Sequence, residues 1–263
     1  MSLLLIAALF NPALAKPRTS AKTARAARAA RLAAAKKAAA KKAAADPLAA
    51  PGQAYCSTPI VWLDAYGGIF KENVRLNGGL ATAVHASCSG DVAWTDSDRG
   101  IHKNETVLGA FAVEFNIARR TGDVVWKDAE GALYKNDRRL GPYVVRYVMA
   151  DWTGDVAWVD RSRNIFFNGD QLGANARDFV LNEYTGDVVW IDTDRRLLKN
   201  RRRLGANASK YLVAAFSGDV VWIDANRAIF KNEQEIGGNA SDFTLQPDGR
   251  GEWTDGDRQH HIF

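Results

Sequence analysis

Residues 185–192 read Thr-Gly-Asp-Val-Val-Trp-Ile-Asp, and variants of this stretch recur along the chain. The tryptophans of the series are evenly spaced, and only the last interval is shorter, by a single position: Trp62, Trp94, Trp126, Trp158, Trp190, Trp222 and Trp253. An aspartate stands two positions after each of them: Asp64, Asp96, Asp128, Asp160, Asp192, Asp224 and Asp255. A fixed period of this kind is typical of repeat folds. The chain therefore contains seven copies of one unit.

Each unit is predicted to be a meander of short strands. In the copy around Trp222, aromatic and branched residues from Tyr211 begin a strand, Ser-Gly-Asp at 217–219 makes a tight turn, and the apolar run 220–223 predicts a strand buried on both faces. A third strand at 229–231 and a short fourth near Ile236 follow.

A small sheet buried on both faces must be flanked by other sheets, and copies of the same unit are the available partners. We therefore predict an all-β fold, a seven-bladed β-propeller of roughly 32-residue, short-stranded repeats that forms a single domain over residues 53–263. The alternative is an open β-solenoid, which has no preferred number of units. The seventh copy stops inside its third strand, so we expect residues near 49–55 to cover that edge.

Three segments of the unit resemble the tachylectin and tectonin type of lectin propeller. They are Leu-Gly-x-x-Ala-x-x-Phe, then Gly-Asp-Val-x-Trp-x-Asp, then Leu-Tyr-Lys as at 133–135, and the resemblance extends over residues 56–263. It implies sugar recognition in clefts between blades. The copies are shorter than the usual repeats of these families, and arginine often stands where those repeats place glycine before the third strand.

The first 52 residues are predicted to lie outside the propeller. Residues 1–15 combine an apolar run, Asn11-Pro12 and Ala-Leu-Ala at 13–15, a pattern typical of a secretory signal peptide, with a buried N-terminal strand or helix as the alternative. Residues 16–52 are rich in alanine, lysine and arginine and predict a disordered or partly helical linker. Export favours a secreted, periplasmic or cell-surface location.

Charge is divided unevenly between the linker and the rest of the chain. Residues 16–45 contain ten basic side chains and no acidic one. The whole chain has 35 basic and 30 acidic residues, so residues 46–263 have 25 basic and 30 acidic ones and a net charge of −5. The basic segment 16–45 is a candidate for binding an anionic polymer, and a solvated tether is the alternative. No apolar stretch reaches the roughly 18 residues of a transmembrane span.

The sequence offers little for catalysis, and we predict neither an enzyme nor a cofactor. His85 and His102 stand where other copies have apolar residues, so we expect both to be packed. His260 and His261 are adjacent on a predicted strand and point to opposite faces, so no metal site is expected from them. A hydrolase or lyase built on the propeller is the least favoured alternative.

The repeated aspartates allow two interpretations. Asp96-Ser97-Asp98-Arg99-Gly100 begins like a calcium loop, but the distal bidentate acid of such a loop does not follow. We expect each aspartate to cap its own turn by accepting backbone N–H bonds.

Candidate ligand-binding residues lie in two loops that should meet on one face of the ring. Amide and guanidinium groups recognise hydroxyls and carboxylates, so the candidates are Asn175, Asn207, Asn239, Arg163, Arg195 and Arg227, on the same face as Arg99 and Arg258. The alternative is a solvated rim in which each arginine pairs with a nearby aspartate, as Asp194 with Arg195. Cys56 and Cys88 stand at equivalent positions before a repeat tryptophan and are candidates for a disulfide. The alternative is that equivalent positions in adjacent blades are farther apart than the roughly 7 Å between Cα atoms that a disulfide allows.

These features lead to one function and one main alternative. We predict a non-enzymatic exported propeller that binds carbohydrate or another cell-surface ligand through repeated inter-blade loops, acting by avidity. The alternative is a protein-interaction scaffold anchored to an anionic surface by its basic tail, which would have one non-equivalent patch; Trp152, outside the repeat register, marks where to look. The seven repeat tryptophans should be mostly buried and Trp152 more exposed.

Overall fold

A computed structural model describes residues 59–76 and 80–263 of the chain. The predicted signal peptide, the basic linker, the start of the propeller domain at residue 53 and the covering segment near 49–55 lie outside the described residues. In the described part, no helix is long and apolar enough to cross a membrane.

Strands form the regular structure of the described residues, and they fall into seven consecutive antiparallel sheets, one per sequence repeat. We call these sheets blades 1 to 7. Blade 1 contains β1 (Val61–Leu63), β2 (Ile69–Lys71) and β3 (Val74–Arg75); blade 2, β4 (Ala81–Ala86), β5 (Val92–Asp96), β6 (Ile101–Lys103) and β7 (Thr106–Gly109); blade 3, β8 (Ala112–Ile117), β9 (Val124–Asp128), β10 (Leu133–Lys135) and β11 (Arg138–Gly141); blade 4, β12 (Val144–Met149), β13 (Val156–Asp160), β14 (Ile165–Phe167) and β15 (Asp170–Gly173).

The last three blades repeat the same order. Blade 5 contains β16 (Ala176–Leu181), β17 (Val188–Asp192), β18 (Leu197–Lys199) and β19 (Arg202–Gly205); blade 6, β20 (Ala208–Val213), β21 (Val220–Asp224), β22 (Ile229–Lys231) and β23 (Gln234–Gly237); blade 7, β24 (Ala240–Leu245), β25 (Gly251–Asp255) and β26 (His260–Ile262). The protein is therefore an all-β, seven-bladed β-propeller, and the described residues form the predicted four-stranded meander in blades 2 to 6 and three strands in blades 1 and 7.

In blades 2 to 6 the second strand is the most buried, as its apolar run predicts. In blade 5, every residue of β17 is buried. Six of the seven repeat tryptophans are buried, whereas Trp62 and Trp152 are both partly buried. The expectation for the tryptophans is confirmed for six positions.

The hydrophobic core is divided among the interfaces between successive blades. One cluster joins Ile165 of blade 4 to Phe179 and Trp190 of blade 5, and another joins Leu197 of blade 5 to Trp222 of blade 6. Each blade is therefore stabilised mainly by its neighbours, because a single small sheet has no core of its own.

Ion pairs join the first strands of neighbouring blades. Arg146 of β12 pairs with Asp178 of β16 at 2.7 Å, and its guanidinium carbon lies 4.6 Å from the centre of the Phe179 ring. Lys210 of β20 pairs in the same way with Asp242 of β24, and its ammonium lies 4.9 Å from the Phe243 ring centre. These exposed pairs each contribute little to stability but place a cation over an aromatic ring of the next blade.

Candidate functional site

The two predicted loops do meet on one face, which we call the connection face. It carries the turn between the second and third strands of each blade and the link from the fourth strand to the next blade. The carbonyls of Arg163, Arg195 and Arg227 accept hydrogen bonds of 2.8–3.0 Å from the N–H groups of Ala176, Ala208 and Ala240, the first residues of the following blades. The structure thus brings the candidate arginines and asparagines together in repeated pairs.

All six candidate residues are exposed, and all six have left-handed backbone conformations. The φ angles of Asn175, Asn207 and Asn239 are 59°, 57° and 57°, and those of Arg163, Arg195 and Arg227 are 60°, 57° and 66°. Asparagine tolerates this conformation better than most residues, which gives the three asparagines a structural reason to be there. Their place on the surface is established, and their role in binding stays a prediction.

Among the described residues, no ion pair joins Arg163, Arg195 or Arg227 to an aspartate, although the solvated-rim alternative expects one. Arg196, not Arg195, pairs with Asp192 at 2.5 Å and with Asp194 at 3.1 Å. The Arg227 guanidinium instead donates to the carbonyls of Asn239 and Ala240, both at 3.1 Å. Arg227 thus ties the turn of blade 6 to the start of blade 7.

In blades 2 to 4 the asparagine position of the connection face is occupied by large apolar side chains. Leu80, Phe111 and Tyr143 stand there with exposed fractions of 67%, 62% and 58% and with φ angles of 68°, 62° and 56°. Val113 and Val145, two positions further on, are 51% and 62% exposed. We call these five residues the apolar patch.

Phe111 and Tyr143 of the apolar patch lie around one shared turn. In blade 3, Ala129 donates its N–H to the Phe111 carbonyl at 3.1 Å, and the carbonyl of Gly131 in the same turn accepts from Val144, the neighbour of Tyr143, at 2.8 Å. The Arg161 guanidinium of the next turn lies 5.5 Å from the centre of the Tyr143 ring. Comparing equivalent repeat positions would have revealed this patch in the sequence, but the hydrophobic period alone did not.

The repeated aspartates after the tryptophans cap their own turns, as expected. Asp96 Oδ1 accepts the N–H groups of Asp98 and Gly100 at 2.9 and 2.7 Å, and Asp224 Oδ1 accepts those of Asn226 and Ala228 at 2.9 and 2.8 Å. The turn-cap interpretation is confirmed for these residues.

A second aspartate, the one in the Gly-Asp turn, forms a polar cluster that sequence reasoning missed. In blade 5, Asp187 accepts from Asn200 Nδ2 at 2.9 Å and pairs with Lys199 Nζ at 2.8 Å, while Asn200 Oδ1 accepts the Val188 N–H and its carbonyl accepts the Trp190 Nε1–H. We call such a group of aspartate, lysine and asparagine a clasp. The fixed separation of 13 positions between the aspartate and the asparagine was its signal in the sequence.

The clasps hold their aspartates in the charged form. Burial disfavours the charged carboxylate of Asp187, but the hydrogen bonds from Lys199, Asn200 and Thr185 outweigh it and lower its pKa. The same balance lowers the pKa of Asp91, Asp123 and Asp219. The clasps are therefore small ion-pair networks that contribute to stability only while their aspartates are ionised.

The opposite face, which we call the hairpin face, carries the clasps and a row of aromatic side chains. Trp152 stacks on Tyr184 with ring centres 5.5 Å apart, and Tyr184 meets the edge of Phe216 at 4.9 Å. The Arg120 guanidinium lies 5.6 Å from the centre of the Trp152 ring. Trp152 thus packs within a row of equivalent turn residues rather than alone.

Next to Trp152, burial raises the pKa of Asp151, although the positive charge of Arg119 lowers it.

The histidines were expected to be packed at positions 85 and 102 and to form no metal site at positions 260 and 261. His102 stacks on Trp94 and bonds to Asp96 at 2.9 Å, so it is packed as expected. The same expectation is wrong for His85, which is exposed because strand alternation turns it to the solvent side of β4, where only its ring edge meets Phe115. His261 stacks on Trp253, whereas the adjacent His260 is exposed.

Cys88 is disulfide-bonded, but Cys56 lies outside the described residues, so the pairing of the two cysteines stays a prediction.

Comparisons with known proteins place no family name on the chain. No protein-family model matches it, and no curated protein does. Among solved structures, the C-terminal WD40 domain of Sif2 matches at 10% identity over 70% of this chain and 66% of that domain, just under two thirds, with a TM-score of 0.31. A eukaryotic initiation factor matches at 10% identity over 78% of this chain and 73% of its own, with a TM-score of 0.41. The class is therefore defined by the seven blades themselves: a β-propeller of very short repeats.

Proposed function

We propose that this propeller is a protein-interaction scaffold that binds a partner through the apolar patch, and that its role is binding rather than catalysis. The observation that supports this is the break in repeat equivalence on the connection face. Three consecutive blades present Leu80, Phe111 and Tyr143 where the next three present asparagine. A scaffold is expected to have one such non-equivalent patch, whereas a multivalent lectin is expected to repeat one site.

The backbone at these positions supports the same proposal. A left-handed conformation costs a non-glycine residue on the order of 1–2 kcal/mol, and the apolar ring of Phe111 has no hydrogen-bonding group to offset it. Exposure of the side chains of the apolar patch to water forfeits the benefit of burying them. These side chains therefore lower stability both through their backbone conformation and through their exposure to water. A partner that covers them would account for their presence on the surface.

The test uses the substitutions that the protein itself makes in blades 5 to 7. We would pan a random-peptide display library on the full chain and measure the enriched peptides against the double variant Phe111→Asn, Tyr143→Asn. Asparagine suits the left-handed backbone of these two positions, so the variant should fold with equal or greater stability and lose most peptide affinity, at least tenfold. The matched control is Asn175→Gly, Asn207→Gly, which keeps the backbone conformation on the polar side of the same face.

Two results would contradict the scaffold proposal. One is a set of peptides that bind the double variant as tightly as the wild-type chain. The other is a set that loses affinity only in the asparagine control, because the patch would then not be where the partner binds.

Carbohydrate binding is the second candidate, supported by the six exposed candidate residues that recur in equivalent pairs on the connection face. A glycan array at low and moderate salt tests it. Saturable binding that is weakened by Asn175→Gly, Asn207→Gly and Asn239→Gly, and unchanged in the double variant of the patch, would favour the lectin function. The tachylectin and tectonin resemblance, the glycan partner and the export of the chain belong to this candidate and remain proposals.

A further inference from the structure

Blade 4 departs from blades 2, 3, 5 and 6 at the lysine of the clasp. The third strand ends in Lys103, Lys135, Lys199 and Lys231 in blades 2, 3, 5 and 6, but in Phe167 in blade 4. The other two members of the clasp are kept, since Asp155 Oδ1 accepts from Asn168 Nδ2 at 2.7 Å and Asn168 Oδ1 accepts from the Val156 N–H at 2.9 Å. Blade 4 therefore retains the acceptors of a clasp without its ammonium donor.

The intact clasps define what the lysine position binds. The ammonium groups pair with the clasp aspartates at 2.8–3.4 Å. Lys199 and Lys231 also donate across the blade interface, to the carbonyls of Gly218 at 2.9 Å and Gly249 at 2.7 Å. In blades 5 and 6 the ammonium is thus bound by one carboxylate of its own blade and one glycine carbonyl of the next, and in blades 2 and 3 it pairs with the carboxylate of its own blade.

The same two acceptors lie side by side in blade 4. Gly186 of blade 5 lies so close to Asp155 that a methyl group on it would be 2.4 Å from Asp155 Oδ2. Within the described residues, no lysine or arginine forms an ion pair with Asp155. An open groove begins at this point and is lined by Asp155, Phe167, Asp170, Leu172, Thr185 and Gly186.

We propose that this groove, which we call the vacant clasp, binds a lysine side chain from outside the propeller. The ammonium would be bound by the Asp155 carboxylate and the Gly186 carbonyl, and the aliphatic stem would pack along Phe167 and Leu172, as lysine stems do on apolar surfaces. The charges around it are Asp170, the Asp187–Lys199 pair and Arg201, which also lines the groove. The intact clasps argue for an ammonium in particular, because all four bind one with the equivalent aspartate and those of blades 5 and 6 add the equivalent glycine carbonyl.

The vacant clasp differs from the surface of the proposed function. It lies on the hairpin face, whereas the apolar patch lies on the connection face, so each can fail without the other. The two surfaces together would allow a partner to be bound on one face and a lysine-bearing segment on the other.

The experiment titrates the isotope-labelled full chain with Nα-acetyl-lysine amide and follows the amide resonances of Asp155 and Gly186 by NMR. We expect saturable shifts at these residues and none with Nα-acetyl-norleucine amide, which has the stem without the charge. Phe167→Lys should abolish the shifts because the new side chain fills the site from within. Asp155→Asn should abolish them as well, while leaving the shape of the groove unchanged.

A converse variant keeps the proposal testable if Phe167→Lys does not fold. Lys199→Phe removes the lysine from the clasp of blade 5, so it should create a second binding site for the lysine amide. The amide resonances of Asp187 and Gly218 should then shift as well. Equal shifts with the norleucine compound, or undiminished lysine binding by a folded Phe167→Lys or Asp155→Asn variant, would overturn the proposal.

The lysine has two possible sources, which one further arm separates. The basic segment 16–45 of this chain contains six lysines. If that segment supplies the ammonium, replacing its six lysines with glutamine should shift the Gly186 resonance in the absence of added ligand and strengthen binding of the lysine amide. If a partner protein supplies it, the same replacement should leave both unchanged.

Discussion

The glycine that ends each fourth strand makes room for the tryptophan of the next blade. A methyl group on it would lie 2.2–2.4 Å from an indole carbon of that tryptophan, for the residues Gly109, Gly141, Gly173, Gly205 and Gly237. Glycine is therefore required at this position of each repeat, because any side chain there would collide with the tryptophan of the next repeat. At the scale of single residues, the repeat is maintained by pairs that touch across blades.

Gly205→Ala is expected to destabilise the propeller by about 1–3 kcal/mol, because the new methyl group overpacks against Trp222. Gly238→Ala is the matched control, since a methyl group there would meet nothing within 4 Å. Denaturant unfolding followed by tryptophan fluorescence gives both free energies. Equal effects of the two substitutions would contradict the steric explanation.

Asn200 combines two roles that substitutions can separate. Its φ of 53° is left-handed, and its side chain bonds to Val188 and Asp187. Asn200→Gly should lose the bonds and keep the conformation, whereas Asn200→Ala should lose both and cost about 1 kcal/mol more. If unfolding measurements give equal losses, the conformation contributes nothing at this position.

At the scale of the blade, the clasp links stability to pH. Asp91, Asp123, Asp187 and Asp219 have pKa values below the ordinary value in the folded chain, so the unfolded chain binds more protons in acid. Their contribution is present above the ordinary pKa of about 4 and is lost as the pH falls through the folded values. Asp151, whose pKa is raised, has the opposite effect, since its contribution is lost as the pH rises through the ordinary value toward the raised one.

Asp187→Asn should therefore destabilise the propeller at pH 7 and differ less from the wild-type chain near pH 2. Unfolding free energies measured at both pH values give this comparison. Asp155→Asn is the matched control, because Asp155 has no lysine partner among the described residues and should show a smaller loss at pH 7. An equal loss for Asp187→Asn at both pH values would exclude a charge-dependent clasp.

The positions of the strands could be predicted because they depend on the local sequence pattern. The clasps could not be predicted because their contacts form only in the assembled fold. The apolar runs and the Thr-Gly-Asp turns located β17 and β21, and Asp96 was recognised as a turn cap from its own sequence neighbourhood. The bonds of the clasp join groups 13 positions apart and a glycine of the next blade, so they depend on the assembled fold. The left-handed conformation of Arg195 follows from its hairpin turn and has no signature in a residue of that type.

At the scale of the whole molecule, opposite charge is segregated along the chain. Residues 16–45 have a charge of +10 and residues 46–263 a net charge of −5. The basic segment has ten positive charges and no negative one, whereas the propeller lies in the acidic part, so the segment is the part of the chain best suited to attract an anionic surface. We propose that this segment is an electrostatic anchor for the scaffold.

Deleting residues 16–45 should abolish most binding of the full chain to vesicles that contain an anionic phospholipid, and should remove most of the salt dependence of that binding. The expectation rests on screening, since exposed charges interact weakly beyond about 8 Å at physiological ionic strength, so an electrostatic anchor weakens steeply with added salt. The midpoint of thermal unfolding should not change, because the segment has almost no large apolar side chain to contribute to a core. A chain whose residues 16–45 are shuffled in order but kept in composition is the matched control and should bind like the wild type. Cosedimentation at several salt concentrations measures all three chains. If the deletion leaves vesicle binding unchanged at every concentration, the segment is a passive spacer, and if shuffling alone abolishes binding, recognition depends on sequence rather than on charge.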